Sequence, residues 1–225
     1  MNPVLRRSAA HVFVDSLAAP SLSDDDDHHL RRVLRIRESD LITIGDGCGR
    51  CVEARLTADG VTVESEPLCQ PAPRPVVVIS AIPKADRPEW IVQKLTEVGA
   101  TSIGFMECAH SVVRWDAERA VRQIERLRRV AREAAMQSRR LWLPEVLDVV
   151  PFADAPHTAN CAIADPDGEG LPTEVDTLLV GPEGGFTGGE LAGVACHVSL
   201  SAHVLRVETA ALTAAILLTL RNEFA

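Results

Sequence analysis

The sequence predicts an α/β protein in two parts: a small β-rich unit over residues 1–70 and a larger, mainly parallel α/β domain over 75–225. Three observations carry this prediction. Short β segments separated by Asp/Gly turns fill the stretch before residue 68. A Pro-rich break, "CQPAPRP", follows at 69–75. After it, apolar strand runs alternate with helical patterns, which implies a mainly parallel sheet with helices on both faces.

In the first part, "AHVFVD" is a short strand and "SDDDDHHLRRVLRI" a helix. Ser23 caps that helix, acids fill its first turn and arginines its last, as the helix dipole favours. "DLITIGDG", "CVEARLTADG" and "VTVESEPL" then form a β-meander. In the second part "VVVISAI" is a buried strand, and "DRPEWIVQKLTEVG" is a helix. Asp86 lies at its N-cap, Pro88 in its first turn and Gly99 at its end, with Ile91, Leu95 and Val98 as a core stripe. "TSIGFM" is the next strand, and Asp116 opens a long arginine-rich helix to about Ser138. "NCAIAD", "DTLLVG" and "HVSLS" are further strands, and "ETAALTAAILLTLRNEF" is a closing helix. That helix is apolar nearly all round from Ala210 to Leu220, so it needs burial on more than one side. A homodimer interface and a fully internal position both satisfy this.

With 46% hydrophobic and 24% charged residues the composition is that of a globular protein. No apolar run approaches the roughly 20 residues needed to span a bilayer. The N-terminal stretch has no sustained apolar core of the signal-peptide kind. A cytoplasmic, non-membrane protein is expected. Cys48 and Cys51 form a CxxC, but no second ligand pair stands at zinc-binding spacing, so no metal is expected. The net charge of −9 conceals a strong polarisation. Residues 114–140 hold nine arginines against four acids, whereas residues 145–225 hold two arginines against twelve acids. Screening over about 8–10 Å makes the local field the relevant one, so a basic band can meet phosphates on an acidic protein. On charge alone, a solvated helix face explains it equally well.

The stretch "LLVGPEGGFTGGEL" carries the most chemistry. A strand, a glycine-rich loop and a helix usually cradle phosphate, yet this loop has neither the lysine of a P-loop nor the spacing of a dinucleotide fingerprint. Glu183 would repel a pyrophosphate, so a neutral, zwitterionic or cationic ligand is favoured. Thr187 and Glu190 match a capping box. A second stretch, "LSAHVLRVETAALTAA", places Arg206 and Glu208 at the junction of two apolar elements, where charges are costly unless paired or functional.

Together "KADRPEWIVQKLTEVGA", "REAAMQSRRLWLPEV", "LLVGPEGGFTGGEL" and "HVLRVETAALTA" resemble the RsmE family, bacterial 16S rRNA (uracil-N3) methyltransferases of the SPOUT superfamily. The resemblance runs through essentially the whole chain, and "HHLRRVLRI" with "GDG" resembles the family's PUA-like RNA-binding domain. It implies a PUA-like domain over 1–70 and a SPOUT methyltransferase domain over 75–225, tied in a deep trefoil knot, in a homodimer that binds S-adenosylmethionine (SAM). It further implies that Val180, Gly181, Glu183, Gly184 and Gly185 form one wall of the SAM pocket, and Leu200, Val204, Leu205 and Arg206 the other.

On this resemblance Arg206 is expected to stabilise the anion that forms when uracil N3 loses its proton, and Glu208 to orient Arg206 or help remove that proton. Arg128, Arg129, Arg132, Arg139 and Arg140 would approach phosphates of 16S rRNA or of the 30S subunit. Arg6, Arg7, Arg31, Arg32 and Arg35 would extend the track. The chain departs from the family pattern at Ser201 and His203, where Gly and Arg are usual, and at His110, where arginine is more common. Ser201 and His203 motivate one alternative, an RNA-binding assembly protein with weakened catalysis. A SPOUT methyltransferase acting on another RNA site is a second. The missing lysine weakens a nucleotide-hydrolase reading.

Overall fold

The computed structural model describes residues 2–58 and 60–224; Asp59, in one of the expected Asp/Gly turns, lies outside the described residues. The chain separates into two compact units, one of residues 1–73 with 132–143, the other of 74–131 with 144–225.

The first unit begins with α1 (Pro3–Arg7) and β1 (Ala10–Phe13), followed by α2 (Asp24–His28), which runs on as a π-helical turn over His29–Val33. Ser23 caps α2 by accepting from the Asp26 amide. The helical path stops at Val33 rather than Ile36, and Arg35 takes φ +54°. Then come β2 (Leu41–Gly45), β3 (Arg50–Thr57), β4 (Gly60–Val63) and β5 (Leu68–Cys69). The order is β1-β2-β3-β4, with β5 against the start of β3; β1 and β2 are parallel and the remaining pairs antiparallel. Ile42 and Ile44 alternate with polar neighbours, as do Val52, Ala54 and Leu56, so period-2 patterning delivers one face to a core around Leu30. Cys48 is exposed and Cys51 buried within β3; both are free thiols, and burial pushes Cys51 up to about 11.

The second unit contains β6 (Val77–Ala81), α3 (Arg87–Val98), β7 (Ser102–Glu107) and α4 (Ala117–Gln137), whose last turns cluster with the first unit. Short strands β8 (Glu145–Val146) and β9 (Val150–Pro151) precede β10 (Cys161–Glu169) and β11 (Thr177–Val180). The chain finishes with α5 (Gly188–Ala192), β12 (His197–Val198) and α6 (Val207–Phe224). The sheet runs β12-β10-β11-β6-β7-β8, with β9 against the end of β7, and every pairing is parallel.

Strands buried on both faces are rich in Val, Ile and Leu because neither face meets water. Val78, Phe105 and Leu178 join one apolar cluster with Ile91 and Leu95 of α3, Leu127 of α4, and Ala211 and Leu218 of α6. Ile79, Met106 and Leu179 face the other way, toward Phe152, Val194 and Leu191. Burying each large apolar side chain contributes about 1.5–3 kcal/mol. Gly99 closes α3 at φ +109°. In such a sheet the loops at the carboxyl ends of the strands are where ligands bind.

Candidate active site

The loop after β11 is shaped by contact on both sides. A Cβ on Gly181 would come within 2.7 Å of the Phe186 ring, so the loop lies flat on that ring only without a side chain there. Gly185 takes φ +71° and closes a turn by donating from its N–H to the Pro182 carbonyl at 2.9 Å. Thr187 and Glu190 form the expected capping box. The Glu190 carboxylate also accepts from the Ala109 amide at 2.8 Å. Burial works against its ionisation, but the Thr187 and Ala109 donors outweigh it and hold the group below the usual carboxylate range. His110 places Nδ1 3.1 Å from the carbonyls of both Gly184 and Gly185. Those oxygens only accept, so Nδ1 carries the proton. The loop after β7 thus braces the glycine loop from outside.

Opposite it, residues 199–206 connect β12 to α6, with the Ser201 hydroxyl accepting from the His203 amide at 3.1 Å. Between the two segments is a cavity of about 440 Å³, within the range of about 300–1,000 Å³ typical of small-molecule sites. Val180, Gly181, Glu183, Gly185, Leu200, Val204 and Leu205 line it; Gly184 and Arg206 do not. Gly184 instead backs onto His110, whose Cβ lies 3.1 Å from where a Cβ of its own would stand.

Asp165 adds a third wall. It sits in a bulge of β10, where Ala164 and Glu169 both register with Val198. Its Oδ2 lies 2.8 Å from His197 Nδ1, while His197 Nε2 faces the carbonyls of Leu191 and Val194 at 3.1 and 3.0 Å. An imidazole with acceptors at both nitrogens is best satisfied doubly protonated, and the bond to Asp165 raises the affinity of His197 for its proton. The cavity therefore carries two carboxylates, Asp165 and Glu183, and no Lys or Arg among its lining residues.

Residues 70–219 match the family described as RNA methyltransferase domain. The chain is 33% identical to the Mycobacterium bovis ribosomal RNA small subunit methyltransferase E over 233 aligned residues, covering 90% of this chain and 88% of that one. The Bacillus subtilis protein of the same name is also 33% identical, over 86% and 87% of the two chains. The chain belongs to the ribosomal RNA small subunit methyltransferase E family. Among solved structures, the family's Neisseria gonorrhoeae enzyme bound to S-adenosyl methionine superposes with a TM-score of 0.77 at 28% identity, over 92% of this chain and 96% of that one. A probable rRNA-methyltransferase from Porphyromonas gingivalis gives 0.78 at 30% identity, over 95% and 98%.

The "KADRPEW" stretch that helped to suggest this family supplies Arg87, which sequence reasoning did not assign. Its Nε lies 3.4 Å from Glu208 Oε1, and its guanidinium reaches Glu183 at 4.0 Å. One side chain on α3 thus faces the acid of the glycine loop and the acid that opens α6. Glu208 is engaged by Arg87 and not by Arg206, whose exposed side chain has no ion-pair partner among the described residues. Asp165 and Arg87 had one signal each in the sequence, a carboxylate at a strand's carboxyl end and a cation within a helix's first turn.

The arginines expected at RNA divide sharply. Arg132 is bonded to the buried carboxylate of Asp26 at 2.8 Å and to the Phe13 carbonyl, within the first unit. Arg139 donates to Ser8 Oγ and the Ala9 carbonyl, and burial pushes Arg140 down to about 10. Arg31 is held by Asp27 and the Thr57 carbonyl, Arg7 by Glu53, and Arg128 by Asp148. Arg6, Arg32, Arg35 and Arg129 have no ion-pair partner among the described residues. No helix among the described residues is long and apolar enough to cross a membrane, and none of their His, Cys, Asp and Glu side chains cluster in a metal-holding group.

Proposed function

We propose that this protein uses SAM to methylate N3 of a specific uridine in 16S rRNA. The observation that carries the reading is the cavity at the strand ends, walled by a glycine loop and bearing two carboxylates without a Lys or Arg. Such a site repels phosphates and suits a ligand with a sulfonium, an ammonium and a ribose diol. Membership of the family, and a relative at 28% identity bound to S-adenosyl methionine, support it independently. Backbone groups of Val180, Gly181, Gly185, Leu200 and Leu205 would hold the cofactor, with Glu183 and Asp165 facing its positive or hydroxyl groups. When bound, SAM supplies an electrophilic methyl group.

The chain's own residues must prepare the uracil. N3 is a poor nucleophile while it keeps its proton, so a cation has to favour the anion. Arg206 has the side chain for this: exposed, unpaired among the described residues, and one residue from Leu205 in the cavity wall. Glu208, whose carboxylate pairs with Arg87, would receive the N3 proton. Arg6, Arg32, Arg35 and Arg129 remain free to meet phosphates, whereas Arg132, Arg139 and Arg140 act first in holding the fold. The reading carries the family's trefoil knot and homodimer with it. Exposed Trp90 on α3, with Ile216 and Leu220 on α6, gives the apolar surface such a dimer would cover.

Two measurements test the assignment. SAM titrated by calorimetry should bind wild-type protein and Arg206→Ala alike. Methyl transfer to 16S rRNA should fall about 100-fold or more in the variant, the usual cost of removing a group that stabilises developing charge. Near wild-type transfer by Arg206→Ala would rule out its role. N3-methyluridine persisting in 16S rRNA of a deletion strain would overturn the substrate.

A further inference from the structure

The carboxyl edge of the parallel sheet holds a second cavity whose electrostatics are the reverse of the first. It measures about 590 Å³ and lies where the loops after β6 and β7 meet the first turns of α4. Lys84, Arg114, Arg119 and Arg126 line it, against two acids, Asp86 and Glu89. Glu89 is already paired with Arg126 at 3.0 Å. Lys84 and Arg119 have no ion-pair partner among the described residues. Arg114 is steadied by Glu107 at 3.7 Å and by the Cys108 carbonyl at 3.4 Å.

The shape suits an extended polyanion better than a small ion. Arg119, Gln123 and Arg126 stand at i, i+4 and i+7, so one face of α4 presents them along roughly 10 Å of helix. Beside this row, Val112 is 71% exposed, and Trp115, only 8% exposed, backs the wall from the core. An apolar surface flanked by cations is what a splayed base on a charged strand requires. The loop that brings Lys84 there includes Ala85 at φ +60°, a left-handed conformation that costs alanine about 1–2 kcal/mol. Such strain is characteristic of functional loops. A single turn of α3 joins the two cavities: Asp86 and Glu89 line the cationic one, and Arg87 between them reaches Glu183 and Glu208.

We propose that the cavity walled by Lys84, Arg114, Arg119 and Arg126 holds the phosphodiester backbone and one splayed base of a single-stranded RNA segment beside the methyl-transfer site. The proposal rests on the reading of the protein as a 16S rRNA methyltransferase. Lys84 and Arg119 take the phosphates, and Val112, backed by Trp115, takes the base.

The test compares wild-type protein, Lys84→Ala/Arg119→Ala, Arg119→Gln alone and Arg122→Ala. Each is titrated with transcribed 16S rRNA over a range of KCl, and with SAM by calorimetry. Arg122 pairs with Glu118 on α4 and does not line the cavity. The double variant should bind SAM like wild type, which also shows that it is folded. Its RNA affinity should fall about tenfold or more, and its salt dependence flatten by about 1.4 in the log–log slope, two lost contacts with a single strand. Arg119→Gln should give about half that change in slope, and Arg122→Ala close to none. Wild-type affinity and slope in the double variant would overturn the proposal and leave the functional reading standing. Wild-type protein that binds SAM but not 16S rRNA overturns both.

Discussion

His11, buried in the first unit with Nδ1 2.9 Å from Thr43 Oγ1, ties stability to pH in a direction opposite to that of most histidines that gain a partner. Burial, and then the nearby Arg139 guanidinium, lower its pKa from 6.5 to about 4. The unfolded chain therefore takes up a proton between those values while the folded chain does not, and stability falls as pH drops from 6.5 toward 4. Urea unfolding should lose about 2 kcal/mol between pH 7.5 and 5 from this group. His11→Asn should remove that part of the slope whatever its effect at pH 7; an unchanged slope would show that other groups cause it. Glu183 was legible in the sequence as an anomaly in a loop otherwise built for phosphate. Arg87 was not, because its partner Glu208 lies 121 residues away. Local spacing carries no information about pairs that only the fold assembles.

The elements themselves were largely legible. Apolar runs marked β6, β7, β10 and β11, and the Gly99 and Thr187 caps fall where residue chemistry puts them, while Asp86 holds the N-cap position of α3 without a side-chain cap bond. Strand β10 shows what patterning misses. Apolar patterning ends it at Asp165, but the strand bulges there and resumes pairing at Glu169. The bulge forms because Gly168 allows the chain to close on β12. A Cβ there would lie 2.6 Å from the backbone of His197 and Val198. Gly168→Ala should cost about 1–3 kcal/mol in thermal or urea unfolding. It should also weaken SAM binding, because Asp165 sits in the bulge and is held by His197 of the paired strand β12; undiminished SAM affinity would separate the bulge from the pocket. In α4 the arginine content was plain and its division was not. One stripe lines a cavity, whereas Arg132 is bonded to Asp26, and helical periodicity alone cannot tell a free cation from an engaged one.

At the scale of the whole molecule, a net charge of −9 coexists with an arginine-lined cavity and a carboxylate-bearing one on the same sheet edge. Composition exposed the polarisation, but only the topology shows that Lys84 and Arg114, outside the arginine-rich helix, join Arg119 and Arg126. The proposed knot and dimer would have no counterpart in residue spacing, since threading and association are properties of an assembled chain. The same topology has an optical consequence. The protein has no tyrosine and only three tryptophans, so its near-ultraviolet emission comes from Trp90, Trp115 and Trp142. With Trp90 and Trp142 replaced by phenylalanine, the remaining indole stands in the wall of the cationic cavity. Its emission should shift or quench when an oligoribonucleotide binds and stay constant when SAM alone is added. A single intrinsic fluorophore would then time RNA arrival separately from cofactor loading, without any attached dye.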